Sequence, residues 1–231
     1  RCSTFNRSLT NMPKPVAHYL LDETTGTTTS DSSGNGYDGT LYGYSIAWFQ
    51  SGGDIDGEAP DDESGTSVSL SSDGTIVAIG ANFNDGNGAQ SGHVRIYQYN
   101  GSSWSQLGSD IDGEDSSNYS GGSVSLSSDG TIVAIGAIYN DNRGHVRIYK
   151  YNGTDWSQLG SDIDGEADDD ESGTSVSLSS DGTIVAIGAE DNDAGNSGSD
   201  NRGHVRVYQY NGTVWAQLGP DIDGEAGDKS G

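Results

Sequence analysis

The segment SVSLSSDGTIVAIGA occurs three times without a single change, at residues 67–81, 123–137 and 175–189. A chain that places one segment in three settings is a repeat architecture, and this constrains the fold more than any local preference. Each copy is followed by a run of the form GHVRIYQYNG, beginning at Gly92, Gly144 and Gly203. A tryptophan segment then leads into the sequence DIDGE. Trp48, Trp104, Trp156 and Trp215 stand 56, 52 and 59 residues apart.

Each unit reads as four short strands. SVSLS alternates Val and Leu with Ser, as a strand with one buried face does. TIVAIGA is a nearly continuous apolar run, suited to burial on both faces. HVRIYQY is the third strand, and Asn-Gly signals a tight hairpin into the fourth, the tryptophan segment. No stretch carries helical periodicity over about ten residues. Four antiparallel strands recurring at this period predict an all-β chain built as a partial β-propeller. About three blades are expected, with cores near residues 67–111, 123–163 and 175–222 and incomplete blades at each end of 44–231. Three blades do not close a ring, so the sequence is expected to belong to a longer protein. Residues 1–15 read as a linker or frayed terminus. Residues 16–43 read as a separate segment with strand and turn signals (AHYLLDE, SSGNG, YDG).

The change in unit length has one source. From the first Asp of DIDGE to the next SVSLS the distance is always 13 residues, whereas the loop between strands two and three is 11, 7 and 14 residues long. In an up-and-down blade this loop and the DIDGE connection share one end of the strands. The Ser-Asp-Gly and Asn-Gly turns share the other. The DIDGE connections and variable loops together hold 27 of the chain's 35 acidic residues, so one predicted face carries most of the charge. The formal net charge of -25 repels nucleic acid and anionic membranes and suits a cation-binding or salt-tolerant surface. No apolar run approaches a membrane span. Cys2 is the single cysteine, so there is no internal disulfide framework.

The unit, in SG-SVSLSSDGTIVAIGA followed by GHVRIY, resembles the FG-GAP repeat, the blade of integrin-α-type propellers. The resemblance implies about seven blades, extracellular placement, and binding or adhesion instead of catalysis. Three features depart from the family pattern: Gly121-Gly122 stands in place of Phe-Gly, the proline after Ala81, Ala137 and Ala189 is missing, and the family's calcium loop is reduced to Ser-Asp-Gly. Residues 16–43 resemble the opening of laminin-G-like, concanavalin-type domains; a β-hairpin is the alternative reading.

Calcium has a second candidate place, the DIDGE connections. Oxygen ligands at alternating positions let a short loop wrap a hard cation. Positions 1, 3, 5 and 9 give Asp54, Asp56, Glu58 and Asp62, then Asp110, Asp112, Glu114 and Asn118, then Asp162, Asp164, Glu166 and Asp170. Glycine falls at position 4, unlike an EF-hand, and a solvated turn whose Asp side chains cap their own backbone is the competing reading. His93, His145 and His204 open strand three beside this face, where an interaction with the acidic loops accounts for their recurrence. The tryptophans read as packing between blades, with sugar stacking as the alternative. Sequons occur at Asn6, Asn100, Asn118, Asn152 and Asn211. No nucleophile, phosphate-loop, dinucleotide or zinc motif appears, so the chain is not expected to be an enzyme. The expected function is an extracellular, secreted or cell-surface adhesion module that contacts protein or glycan, with calcium as the implied cation. The alternatives are a structural spacer in a surface repeat protein and a lectin-like appendage of a secreted enzyme.

Overall fold

The computed structural model describes residues 28–29, 39–40, 50–193 and 202–231. The chain forms two compact units, Arg1–Phe49 and Gln50–Gly231. In the first, β1 (Thr28–Thr29) pairs antiparallel with β2 (Gly39–Thr40). Apart from these two strands, the predicted linker 1–15 and the laminin-G-like segment 16–43 lie outside the described residues.

The second unit holds three antiparallel sheets of one design. The first contains β3 (Ser67–Leu70), β4 (Ile76–Ala81), β5 (His93–Tyr99) and β6 (Trp104–Gln106), in that order. β7 (Ile111–Asp112) completes the first sheet by pairing with β5, and the second contains β8 (Ser123–Leu126), β9 (Ile132–Ala137), β10 (His145–Tyr151) and β11 (Trp156–Gln158). The third repeats the order after β12 (Ile163–Asp164), with β13 (Ser175–Leu178), β14 (Ile184–Ala189), β15 (His204–Tyr210), β16 (Trp215–Gln217) and finally β17 (Ile222–Asp223). The all-β, four-stranded blade read from the sequence is therefore the observed one. The structure adds a fifth, two-residue strand that the sequence reading assigned to loop. β6 covers only Tyr97–Tyr99 of β5, and Ile111–Asp112 returns to pair with Val94 and His93 at its other end.

The first turn of each blade shows why the repeat keeps Ser-x-Asp-Gly-Thr. Asp73 Oδ1 accepts hydrogen bonds from Ser71 Oγ (2.8 Å), Thr75 N (2.9 Å) and Thr75 Oγ1 (2.9 Å), and Gly74 takes the left-handed φ of 71°. Asp181 makes the same three bonds. These donors hold the Asp73 carboxyl below its ordinary range and bring Asp181 down to about 2. A carboxylate whose pKa falls on folding adds stability above its unfolded value near 4, and that stability is lost as the pH drops toward 2. The stability gap between the parent and Asp181→Asn is thus expected to be largest at neutral pH and to shrink between pH 4 and 2, as urea unfolding at the two extremes would show. A gap independent of pH would contradict the assignment.

The hydrophobic cores lie between blades. Ile76, Ala78, Val94, Ile96 and Ile111 of the first blade pack with Leu126, Val133 and Ile135 of the second. Ile132, Ala134, Val146, Ile148 and Ile163 of the second pack with Val185, Ile187 and Tyr208 of the third. Successive residues of β9 therefore serve opposite cores, as the two-residue period of a strand requires. This is the physical meaning of the unbroken run IVAI. Leu126 is 7% exposed because the first blade covers it, whereas Leu70, its equivalent in the first blade, is 60% exposed. The first strands of neighbouring blades are also tied by hydrogen bonds from Leu126 N to Ser69 Oγ and from Leu178 N to Ser125 Oγ, both 2.9 Å. Trp104, Trp156 and Trp215 each pack on a tyrosine of their own blade, and two of them reach back to the preceding blade: Trp156 Nε1 donates to Leu107 O and Trp215 Nε1 to Leu159 O, both at 2.7 Å. Packing between blades is what Trp156 and Trp215 do.

Candidate functional site

The variable loops and the DIDGE connections meet at one end of the blades, as the strand count demands. Gly92 bridges to Ser120, Gly144 bridges to Ser172, and Asn87 Nδ2 donates to the carbonyls of Gly113 and Glu114. The Ser-Asp-Gly and Asn-Gly turns meet at the opposite end, where Tyr99 N donates to Thr75 O.

Within each DIDGE connection the four singled-out positions have different fates. Position 1 is clasped by a glutamine four residues earlier: Gln50, Gln106 and Gln158 donate to Oδ1 of Asp54, Asp110 and Asp162. Position 3 is exposed at the side chain, and its carbonyl is the useful atom. Arg95, Arg147 and Arg206 donate from Nη2 to the carbonyls of Asp56, Asp112 and Asp164, at 2.9, 2.7 and 2.8 Å. Partial desolvation of these surface carboxyls, and then the charge of the nearby position-1 acid, hold Asp112 and Asp164 above their ordinary range. Position 5, Glu58, Glu114 or Glu166, turns one oxygen to the same arginine at 3.5–3.6 Å. Position 9 is buried. Left-handed residues on both sides turn it inward, Asp61 and Glu63, Ser117 and Tyr119, Asp169 and Glu171. There Asp62 Oδ2 accepts from Asn84 Nδ2 (2.8 Å) and Ala59 N (3.2 Å), and Asp170 Oδ2 accepts from Ala167 N (2.8 Å). Asn118 is buried with its Nδ2 lacking a hydrogen-bond partner.

The acids that do converge come from different connections. Around His93 stand Glu58 and Asp110; around His145, Glu114 and Asp162; around His204, Glu166 and Asp221. Each histidine thus faces position 5 of the connection that enters its blade and position 1 of the connection that leaves it. The three imidazoles are almost completely buried. Burial drives them below the ordinary histidine range against the pull of the acids, His145 to about 4, so they are neutral near pH 7.

Two tyrosines missed in the sequence reading also mark this end. Phe83, Tyr119 and Tyr139 form a row of edge-on rings with centroids 5.2 and 5.3 Å apart. Tyr119 and Tyr139 line an open depression of about 660 Å³ together with Asp115, Asn118 and Asp141. Phe83 and Tyr139 hold the same place after IGA in their units, which is the signal that could have revealed them.

The calcium position implied by the family resemblance, between the first two strands, does not fit a cation here. It offers one carboxylate per turn, and that oxygen already accepts three donors.

Residues 55–97 match the FG-GAP repeat, so the resemblance seen in the sequence holds for the first blade, whose strands the later blades repeat almost unchanged. No curated protein matches the chain. Among solved structures, TolB from Acinetobacter baumannii aligns at 15% identity and a TM-score of 0.39, over 84% of this chain and 37% of that one. A putative TolB from Agrobacterium tumefaciens aligns at 10% identity and 0.31, over 86% and 75%. The chain spans little more than a third of the first of these proteins.

Proposed function

We propose that the chain is a non-catalytic binding and adhesion module of the cell surface or extracellular space. It presents the acidic loop face to a protein or glycan partner, and calcium organises the exposed acids of that face. The observation that carries this reading is the concentration of function-bearing features at one end of the blades. Length variation, most of the acids and the depression beside Tyr119 and Tyr139 all lie there, while the opposite end is a set of repeated turns. Tyrosine combines a broad apolar face with a polar tip, which suits a partner surface or a sugar ring. Tyr139 is 44% exposed.

The test is a screen of protein and glycan ligands in calcium and in chelator, run on the parent, Tyr139→Ala and the double variant Asp112→Asn/Asp164→Asn. The reading expects a ligand whose affinity drops about tenfold or more in Tyr139→Ala, as for a central aromatic contact. It also expects calcium to raise the melting temperature of the parent by mass action, and to do so less in the double variant. A screen negative in both conditions, with no thermal response to calcium, would replace this reading with that of a structural spacer.

A further inference from the structure

The three histidine clusters go beyond the reading above, because their chemistry is not that of a calcium site. We propose that each Glu–His–Asp cluster binds a divalent transition-metal cation of the zinc class, and that the ion ties the connection entering a blade to the one leaving it.

In the second blade, Glu114 Oε1 faces Arg147 Nη1 at 3.5 Å and Asp162 Oδ1 accepts from Gln158 Nε2. Glu114 Oε2, which also accepts from Asn140 Nδ2, and Asp162 Oδ2 are the other oxygens of the two acids, and they point at His145 Nδ1 from 3.9 and 4.0 Å. Those distances exceed a hydrogen bond. His145 is 1% exposed, and its Nδ1 has no hydrogen-bond partner. A buried polar atom left unpaired is costly and rare, so an atom of this kind aimed at two carboxylate oxygens calls for a ligand. His145 Nδ1, Glu114 Oε2 and Asp162 Oδ2 thus converge on one small space, and a cation is what reconciles them.

Acid oxygens converge in the same way on His93, where Glu58 Oε2 and Asp110 Oδ2 lie 3.8 and 3.9 Å from Nδ1, and on His204, where Glu166 Oε2 lies at 3.9 Å, while the unpartnered buried Nδ1 is that of His145. In all three clusters the ligand atoms lie within 4.8 Å of one another. Zinc-class bonds of about 2.0–2.2 Å place ligand atoms about 3.3–3.6 Å apart, so inward shifts of the carboxylates by up to about 1 Å close the site. The glutamates are almost half exposed, which gives an ion a path from solvent and leaves room for water as a further ligand. An imidazole nitrogen among so few ligands favours zinc, cobalt or nickel over calcium, which prefers six to eight oxygens. The arginine and glutamine act on the ligands from behind, fixing which oxygen faces inward.

Zinc titration of the intact chain by calorimetry, with cobalt absorption as an optical probe of the ligand field, tests the proposal. Three zinc ions are expected per chain, one per cluster. His145→Gln should bind two, and the triple variant with His93→Gln and His204→Gln should bind none. Because a buried histidine variant can fail to fold, Glu114→Gln/Asp162→Asn is the companion; it keeps the imidazole and should lower affinity at that site at least about tenfold. A hundredfold excess of calcium should leave the zinc in place. Zinc binding that survives unchanged in the folded triple or companion variant, displacement by calcium, or no binding at micromolar zinc would each overturn the proposal. None of these results depends on whether a ligand binds the loop face.

Discussion

Gly136→Ala is expected to destabilise the blades by more than about 3 kcal/mol, the range that overpacking against rigid surroundings reaches at its upper end. A Cβ at Gly136 would stand 2.1 Å from Gly173 O and 2.4 Å from Ser123 Oγ. The first neighbour is backbone from the next connection. Gly173 O already accepts from Ser123 Oγ at 2.7 Å and Gly173 N donates to Gly188 O at 2.9 Å, so this stretch of backbone cannot simply swing away. Gly80 meets Gly121 O in the same manner, at 2.0 Å. The glycine of IVAIGA is thus the place where one blade admits the connection that leads to the next. Gly122→Ala is the control. Its nearest neighbour would be 3.5 Å away, and Thr66 and Thr174 occupy the same place in the other units. That variant should stay within about 0.5 kcal/mol of the parent. Urea midpoints for the two variants decide the matter. Equal midpoints would show that the close approach is not what the glycine provides.

Ile148→Ala should cost about 2–5 kcal/mol, through lost burial and the cavity left behind. Ile148 is 1% exposed in the core shared by the second and third blades. Val68→Ala, at a position 63% exposed on the first blade, should change stability by less than about 0.5 kcal/mol. The contrast tests where the stability of such an array resides. Stacked repeats draw it from the contacts between neighbours, so the loss at Ile148 should lower the unfolding midpoint of the whole blade array. A midpoint shift at Val68 as large as that at Ile148 would mean that the described cores do not hold the fold together.

Much of this was legible in the order of the residues. Exact repetition specified the unit, the alternation in SVSL and the unbroken IVAI assigned one-sided and two-sided burial, and the strand count sent the acidic connections and variable loops to one end. Asp73, Asp129 and Asp181 announced their turns because a turn is local: donor and acceptor lie within a few residues. The partners of the acids were a different matter. Four ligands of one cation were read from the spacing of one DIDGE connection, but the structure sends position 1 and position 5 of that connection to histidines of successive blades and buries position 9. Those destinations depend on where Ile111–Asp112 pairs with β5, on left-handed turns at Asp61 and Asp169, and on how closely one blade stacks against the next. Local periodicity is written along the chain and fixes the strands. The meeting of side chains about 20 to 50 residues apart is set by long-range pairing and close packing, whose energies belong to the assembled blades and to no single segment.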